Sequence, residues 1–309
     1  MSQKSSVLCV GCTVIDFVTI VGSYPKEDTD RRCLDGFWQR GGNASNVSTT
    51  LSVLGTKVDF FGILSSSDAF RVLLEDLRRR EIGTRNCPLT SRDPPFSSVI
   101  LSQDTGSRTI IHCNKDYPQT TWEDFSKIDL SQYGWVHFEA RNTIHTARMM
   151  QSIREYDQKT GQSTIISLDF ETRYDQNLEL CQSCDYVIFS KELASDKGWT
   201  TPRQTCEELA SDIPSNGGQK PIIICPWGSE GAVCMDSKGN YIKFSSYQPE
   251  KVVDTLGAGD SFVAGFINAT FEHQRGLRDA VDFANRVASR KIEGFGYDHI
   301  QTIQIETME

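Results

Sequence analysis

The sequence lacks the features of membrane, secreted and nucleic-acid-binding proteins. No stretch of its 309 residues contains the roughly 18 consecutive apolar residues that a membrane span needs. Residues 1–6 form a short polar stretch that does not resemble a signal peptide. The net charge of −9 argues against nucleic acid or an anionic membrane as the main partner. We therefore expect a cytoplasmic protein that binds neither nucleic acid nor membrane.

Several catalytic and cofactor motifs are also missing. There is no G-x-x-x-x-G-K-[ST], so the chain is not a P-loop protein. No G-x-G-x-x-G follows the first apolar run, which disfavours a nicotinamide dehydrogenase. The chain has no G-x-S-x-G elbow, and its five histidines form no H-E-x-x-H pattern.

Cysteine is more frequent, with ten residues, but its placement does not indicate disulfides. Most cysteines lie in apolar runs, as Cys9 and Cys225 do, which is typical of reduced core residues in the cytosol. Two C-x-x-C pairs, Cys9/Cys12 and Cys181/Cys184, have a spacing found in zinc sites. Residues three apart on a strand point to opposite faces, so the first pair favours core packing over zinc.

The hydrophobic content of 38% and charged content of 24% are those of an ordinary globular chain. From residue 135 onward, short apolar runs at 135–138, 164–168, 186–189 and 222–225 alternate with helical patterns. Together with an apolar run at 7–11, they predict an α/β fold with a mostly parallel sheet sandwiched by helices.

Two earlier regions carry β structure that this pattern does not require. Extended segments occur at 14–21 and 32–40, and the alternating runs 97–102 and 108–113 flank a turn, which indicates a hairpin. We expect these segments, near 13–40 and 97–115, to form a small β-sheet lid. Since no repeat or long linker divides the chain, residues 1–309 are interpreted as a single domain.

A glycine-rich turn precedes a predicted helix near residue 260. Gly257, Ala258 and Gly259 carry little side-chain bulk, and the unpaired amides and dipole of the helix start favour an anion such as phosphate. Asp260 follows at once, and a carboxylate held against a phosphate suggests a base for phosphoryl transfer. An ordinary turn with Asp260 as a capping residue is the alternative, and the spacing leaves both open.

Polar residues follow other predicted strands. Asn43 and Asn46 share a helix face after a Gly-Gly turn, where their amides could bind sugar hydroxyls; alternatively Asn43 is a helix cap and Asn46 is exposed. Asp16, inside an apolar strand, either faces solvent or makes a hydrogen bond in a cleft. Arg108 is either a phosphate contact or a surface arginine. Ligands bind beyond the carboxyl ends of strands in α/β sheets, so these turns could converge.

Two of these segments carry a family resemblance. Residues 254–260, D-T-L-G-A-G-D, resemble the D-T-x-G-A-G-D signature of the ribokinase (PfkB) family of sugar kinases, and residues 40–46, R-G-G-N-A-S-N, resemble its G-G-x-x-x-N signature. The resemblance covers essentially the whole chain. Segments 24–28, 106–110 and 141–142 are similar to the ketohexokinase branch of the family.

The resemblance implies a ribokinase-like fold and an ATP-dependent kinase that phosphorylates a hydroxymethyl group. In the ketohexokinase branch, this is the C1 hydroxyl of D-fructose. A related kinase for another sugar or a nucleoside is the alternative within the family. A non-catalytic regulator that binds sugar or nucleotide is an alternative of another class.

The family also implies roles for particular residues. Asp260 is the base that accepts the hydroxyl proton, and the amides of three residues stabilise the transferring phosphoryl group: Gly257, Ala258 and Gly259. The sugar is bound, together with Asp260, by Asp16, Gly42, Asn43 and Asn46. ATP is bound by the glycine-rich turn at 257–259 together with Arg108, Gly228 and Gly231.

Cofactors and partners follow from the same resemblance. Mg²⁺ arrives with ATP, and K⁺ is an expected activator near Asp254, Thr255 and the segment 294–296. A homodimer is expected to form through the β lid, with Asp28 extending into the active site of a partner subunit.

The chain departs from the family pattern at several positions. Ser190 and Leu193 occupy the two key places of the N-x-x-E motif that is linked to Mg²⁺. Glu171 replaces the asparagine of D-x-N-x-R, and Ala140 stands where ketohexokinases usually have glycine. These changes weaken the assignment of metal ligands and leave room for a shifted substrate preference.

Overall fold

The computed structural model describes residues 5–114, 116–214 and 220–303. The strands in chain order are β1 (Ser6–Val10), β2 (Val14–Val21), β3 (Asp35–Gly41), β4 (Val58–Phe61), β5 (Leu64–Ser65), β6 (Leu89–Thr90), β7 (Phe96–Ser102), β8 (Arg108–Cys113), β9 (Tyr133–Glu139), β10 (Ile165–Phe170), β11 (Tyr186–Phe189), β12 (Ile222–Pro226), β13 (Ala232–Met235) and β14 (Tyr241–Phe244). The helices are α1 (Asn43–Val53), α2 (Arg71–Arg79), α3 (Trp122–Phe125), α4 (Thr143–Thr160), α5 (Tyr174–Asn177), α6 (Lys191–Asp196), α7 (Pro202–Asp212), α8 (Ala258–Ile267) and α9 (Leu277–Lys291).

The main sheet has eight strands in the order β14-β13-β12-β11-β10-β9-β1-β4. Six strands, from β12 to β4, run parallel, and β13 and β14 add an antiparallel edge. The predicted α/β fold with a mostly parallel sheet is therefore confirmed.

Helices cover both faces of this sheet. Strand β1 shows the consequence, because its apolar residues are consecutive and do not alternate with polar ones. Val7 and Cys9 pack on one face with helices α1, α8 and α9, while Leu8 and Val10 pack on the other face with α4, α6 and α7. Successive strand residues point to opposite faces, so a strand between two helical layers needs apolar residues at every position.

The second sheet has four strands in the order β3-β2-β7-β8, which confirms the predicted small sheet. The predicted lid segment 97–115 ends at a residue that lies outside the described ranges. Val18 and Val99, on the inner face, pack against Leu256 of the glycine-rich turn. Phe17 and Trp38 pair across β2 and β3, and both are exposed on the outer face.

Glycines follow the ends of two elements, and one strand begins later than expected. Strand β4 ends at Phe61, and Gly62 then passes so close to Gly11 that a Cβ atom on Gly62 would overlap the carbonyl oxygen of Gly11. Helix α4 ends at Thr160, and Gly161 follows it with a left-handed φ of 77°, which terminates a helix at little cost. The strand expected from residue 32 begins at Asp35.

Candidate active site

Three neighbouring strands of the main sheet bring polar residues to one edge. Strands β1, β9 and β10 run parallel, so the turn after Val10 lies beside Glu139, the last residue of β9, and Asp169, the penultimate residue of β10. Glu139 and Asp169 are paired in the register, so their side chains occupy the same face of the sheet. The carboxyl ends of these strands thus form an acidic edge.

The glycine-rich turn lies at the start of α8. Gly257 is the N-cap with a left-handed φ of 76°, and a Cβ atom there would overlap the hydroxyl of Tyr297, so the position requires glycine. Ala258, Gly259 and Asp260 form the first helical turn. The Ala258 amide donates to the carbonyl oxygen of Thr255 at 3.3 Å, and the amides of Gly259 and Asp260 have no intrahelical partner. This is the geometry expected for an anion site.

Asp260 is not the cap of this helix. Its side chain is buried, and its Oδ2 accepts a hydrogen bond of 2.8 Å from Asn46 Nδ2 on α1. Burial, followed by the negative charge of Glu171, raises the pKa of Asp260 to about 8, while the bond from Asn46 favours the ionised form. The raised pKa of Asp260 and its position in the first turn of α8 are compatible with a general base.

The two asparagines are held by carboxylates. Asn46 is buried, which contradicts the exposed alternative, and its Oδ1 receives no hydrogen bond from any described residue. Asn43 is the first residue of α1 after the N-cap Gly42, and its side chain does not cap the helix. Asn43 Nδ2 instead donates to Asp169 Oδ2, at 3.2 Å, and to Glu171 Oε2. The NH2 groups of both asparagines therefore donate hydrogen bonds to carboxyl groups.

Asp16 lies on the inner face of the small sheet and is buried, so the solvent-facing alternative is wrong. A Cβ atom at Gly41 would overlap its carboxylate, and one at Gly42 would overlap the carbonyl oxygen of Cys12. The Gly-Gly pair therefore makes room for Asp16 and for the turn after β1. Burial raises the pKa of Asp16 to about 6, and a hydrogen bond with Ser97 opposes this shift.

Glu139 is a residue of this site whose role sequence reasoning missed. Its Oε2 accepts from the amides of Cys12, at 3.0 Å, and Ala44, at 3.4 Å, and its Oε1 accepts from Arg141 Nε at 2.6 Å. Burial opposes its ionisation, but Arg141 and the amides hold the pKa of Glu139 below its ordinary value. Glu139 thereby ties β9 to the turn after β1 and to the start of α1. The sequence signal that could have identified Glu139 is its position at the carboxyl end of a predicted strand.

The remaining predicted residues have different surroundings. Arg108 Nη1 of the small sheet donates to Thr255 Oγ1 at 3.0 Å, beside the glycine-rich turn. Gly228 and Gly231, with φ of 63° and 92°, form a tight turn after β12, at the same edge of the sheet. Asp28 lies on the exposed segment between β2 and β3 and is not brought to the site of its own chain.

The oxygens of Asp254 and Thr255, the expected K⁺ ligands, already accept hydrogen bonds from cationic side chains. Lys291 Nζ lies 2.9 Å from Asp254 Oδ2 and 3.3 Å from its carbonyl oxygen, and both side chains are buried. Arg108 Nη1 lies 3.4 Å from the carbonyl oxygen of Thr255. These oxygens do not fit a K⁺ site in the conformation described, and the sequence reasoning had not identified Lys291.

The residues at the N-x-x-E position do not fit a metal site either. Ser190 caps helix α6 by accepting from Leu193 N at 3.1 Å, and Leu193 is buried in the core. In the described ranges, no group of three or more His, Cys, Asp or Glu side chains is arranged to hold a metal ion. The cysteines of both C-x-x-C pairs are free thiols, and Cys9, Cys181 and Cys184 are buried.

Similarity to known proteins agrees with this geometry. The pfkB family of carbohydrate kinases matches residues 4–302, and the chain belongs to this family. It is 35% identical to ketohexokinase from Mus musculus over 303 residues, which covers 96% of this chain and 99% of that protein. It is 25% identical to a fructosamine kinase from Bacillus subtilis, over 95% of this chain and 94% of that protein.

Solved structures show the same fold. A putative ribokinase from Agrobacterium tumefaciens superposes with a TM-score of 0.79 at 21% identity, covering 95% of this chain and 93% of that one. Ribokinase from Arabidopsis thaliana, solved with ribose and ATP, superposes with a TM-score of 0.76 at 18% identity, covering 98% of this chain and all of that one. The ribokinase-like fold is confirmed, and the family implies an ATP-dependent sugar kinase that uses Mg-ATP. No helix among the described residues is long and apolar enough to span a membrane.

The buried pair of Lys291 and Asp254 predicts a large stability effect. We expect Lys291→Met to lower the free energy of unfolding by about 3–5 kcal/mol, because it leaves the Asp254 carboxylate buried without its counter-charge. Urea denaturation measures this loss. The double variant Asp254→Asn/Lys291→Met should recover part of the stability, since no unpaired charge remains.

A matched control is Arg203→Met, which removes the exposed pair with Glu207 on α7. Its effect should stay within about 1 kcal/mol. Equal losses in the single and double variants at Lys291 would contradict the explanation by an unpaired charge.

Proposed function

We propose that the protein is an ATP-dependent ketohexokinase that phosphorylates the C1 hydroxyl of D-fructose. The observation that carries the proposal is the hydrogen bond between Asn46 and Asp260, which joins the two family signatures in one site. The 35% identity to a ketohexokinase over nearly the whole chain supports this substrate class.

The chemistry of the site supports a ligand with many hydroxyl groups. The NH2 groups of Asn43 and Asn46 are engaged by carboxylates, so their free polar atoms are acceptors, alongside the carboxylates of Asp16 and Asp260. Sugar hydroxyls are hydrogen-bond donors that match such a set. An anionic acceptor substrate would be repelled by the same groups.

Other buried polar atoms next to the site agree with this interpretation. They have no hydrogen-bond partner among the described residues, and they are Thr13 Oγ1, Gln39 Nε2, Asn46 Oδ1 and Tyr297 OH. Gln39 is opposite Asp16 in the small sheet, and Tyr297 contacts Gly257. Buried polar groups without partners cost free energy, which a hydroxyl-rich ligand or bound water can offset.

In the proposed mechanism, the C1 oxygen attacks the γ-phosphorus of ATP, the bond from this phosphorus to the β,γ-bridging oxygen breaks, ADP leaves, and Asp260 takes the proton of the C1 hydroxyl. The hydroxyl has a far higher pKa than Asp260, so proton transfer comes late, and positioning carries most of the catalysis. The Gly257, Ala258 and Gly259 amides stabilise charge on the transferring group. Arg108 would leave Thr255 and contact the phosphates, while Gly228 and Gly231 line the nucleotide side.

We also propose that residues 1–309 act as one kinase domain whose small sheet is a lid over the site. Contacts between Leu256 and the inner face of this sheet, and between Phe37 and Phe295 at 5.2 Å, support a lid that closes on the turn. Mg²⁺ neutralises phosphate charge when it enters with ATP, and we assign it no protein ligand. Activation by K⁺ stays a prediction from the family resemblance, without an assigned ligand set.

A homodimer through the lid is the proposed assembly, and the cytoplasm is the proposed location. The outer face of the small sheet exposes Phe17, Trp38 and Ile111, which share that face by strand register. Exposed apolar patches of this kind mark interaction surfaces. In this arrangement Asp28, on its exposed segment, would reach the sugar site of the partner subunit. The free thiols of all ten cysteines agree with a reducing compartment.

The substrate assignment is tested by ADP release from Mg-ATP with D-fructose, D-ribose, D-tagatose and adenosine as acceptors. We expect D-fructose to give the highest kcat/KM, because the chain is 35% identical to a ketohexokinase over 96% of its length. Faster turnover of ribose or adenosine would favour a related kinase. No sugar-dependent ADP release with any acceptor would favour a non-catalytic binding protein.

The dimer is tested by light scattering at micromolar concentration. We expect the mass of two chains for the unsubstituted protein and a shift toward one chain for Trp38→Lys, because a charge on the outer face opposes apolar burial. Ile144→Lys is the control, since it replaces an exposed apolar residue on α4 outside the small sheet. A single-chain mass for the unsubstituted protein would rule out the dimer and the role of Asp28.

A further inference from the structure

Glu171 is a departure from the family pattern that the proposed reaction does not yet use. It follows β10 directly, and its Oε2 accepts from Asn43 Nδ2, which also donates to Asp169 Oδ2 at 3.2 Å. One amide NH2 therefore bridges two carboxyl groups, one on each side of Phe170. This shared contact fixes the orientation of the Asn43 amide. If the amide were rotated by 180°, Asn43 Oδ1 would face the oxygens of two carboxyl groups.

We propose that Glu171 is a positioning residue that orients the Asn43 amide, one turn of α1 before the hydrogen bond between Asn46 and Asp260, and that its negative charge acts on Asp260 from this position. The proposal rests on the kinase function proposed above. It assigns two separable contributions to one side chain, a hydrogen bond toward Asn43 and a charge that acts on the base.

The orienting contribution follows from the hydrogen bonds. With Nδ2 bound to the acids, Asn43 keeps Oδ1 as its available acceptor, and no described residue donates to it. A sugar hydroxyl can then donate to Asn43. An asparagine in the place of Glu171 could bind Asn43 in either orientation, whereas a carboxylate accepts only, so the glutamate selects one orientation.

The charge contribution follows from the composition of the cluster. The groups that influence Asp260 are Asp16, Glu139, Asp169, Glu171, Lys291 and Tyr297. Those that face Glu171 are Glu139, Arg141, Asp169, Glu192 and the amide of Asn43. Burial raises the pKa of both Asp169 and Glu171, and the negative charge of Glu171 adds to the rise at Asp169.

Among the neighbouring charges, Glu171 has the largest effect on the pKa of Asp260, ahead of Glu139 and Asp16. Glu139 is compensated by Arg141 at 2.6 Å, whereas Glu171 has only the neutral amide of Asn43 as a hydrogen-bond donor among the described residues. Removing the Glu171 charge should therefore ease ionisation of Asp260 without disturbing the Glu139 contacts.

The test compares three variants by the pH dependence of kcat/KM, which reports ionisation in the free enzyme. The acceptor is D-fructose, or whichever compound of the panel above the unsubstituted enzyme turns over fastest. Glu171→Gln keeps an oxygen that accepts from Asn43 but removes the charge. Glu171→Leu removes both. Glu179→Gln removes an exposed carboxylate from the segment after β10 and is the control.

For the unsubstituted enzyme and the control, we expect kcat/KM to fall on the acid side with a midpoint near pH 8, the pKa of Asp260. Glu171→Gln should move this limb to lower pH by about one unit while the sugar KM at high pH stays unchanged. Glu171→Leu should move the limb similarly and also raise the sugar KM about fivefold. Near-ultraviolet circular dichroism confirms that each variant keeps its packing.

An acid limb that stays in place in both Glu171 variants would overturn the charge contribution. An unchanged sugar KM in Glu171→Leu would overturn the orienting contribution. Equal KM increases in both variants would also overturn it, since Gln retains the acceptor. Absence of turnover by the unsubstituted chain with every compound refutes the proposed function and this assignment together, an outcome distinct from the others.

Discussion

Asn46 Nδ2 donates to Asp260 Oδ2 at 2.8 Å, and this bond connects the two helices on which the site depends. Helix α1 starts at the Gly-Gly turn and α8 starts at the glycine-rich anion turn, so the bond brings the two signature segments together. The helices pack through a shared core, and the hydroxyls of Thr50 and Ser261 approach to 3.4 Å beside it. Helix packing thereby sets the relative placement of the proposed sugar and phosphate sites.

The site concentrates negative charge in a buried region, and the rest of the structure compensates in part. Arg141 neutralises Glu139, and Lys291 neutralises Asp254 beneath the anion turn. Arg141 also acts on Glu171, and Lys291 on Asp260, but burial is the larger effect and raises the pKa of Asp169, Glu171 and Asp260. Such a site favours neutral hydroxyl donors. In the proposed mechanism, phosphate charge is instead stabilised by the amides at the start of α8, by Mg²⁺ and by Arg108.

Much of the fold was predictable because its signals are local. Strands buried on both faces, such as β1, need continuous apolar runs. The turn at residue 257 needs a glycine, because a Cβ atom there would overlap the hydroxyl of Tyr297. The sequence also indicated Asp16, Asn43, Asn46 and Asp260. It left open whether Asn43 and Asp260 were caps, since a cap and a site residue share the same spacing, and only the tertiary structure distinguishes them.

The residues that were missed act through partners far away in the chain. Glu139 binds the amides of Cys12 and Ala44, and Lys291 binds Asp254, across separations that no short pattern contains. Glu171 was noticed only as a deviation from a motif. Its contact with Asn43 depends on how β10 and α1 meet at the carboxyl edge of the sheet. Such supporting residues require the three-dimensional arrangement.

Asp260 is proposed to serve as the base, a role that needs its carboxylate and not only the hydrogen bond that it accepts from Asn46. Asp260→Asn tests it most directly, because asparagine has the same shape and can still accept from Asn46. The account predicts that kcat falls by about 10³-fold while D-fructose binding, measured by calorimetry, survives. Near-normal turnover in this variant would contradict the account.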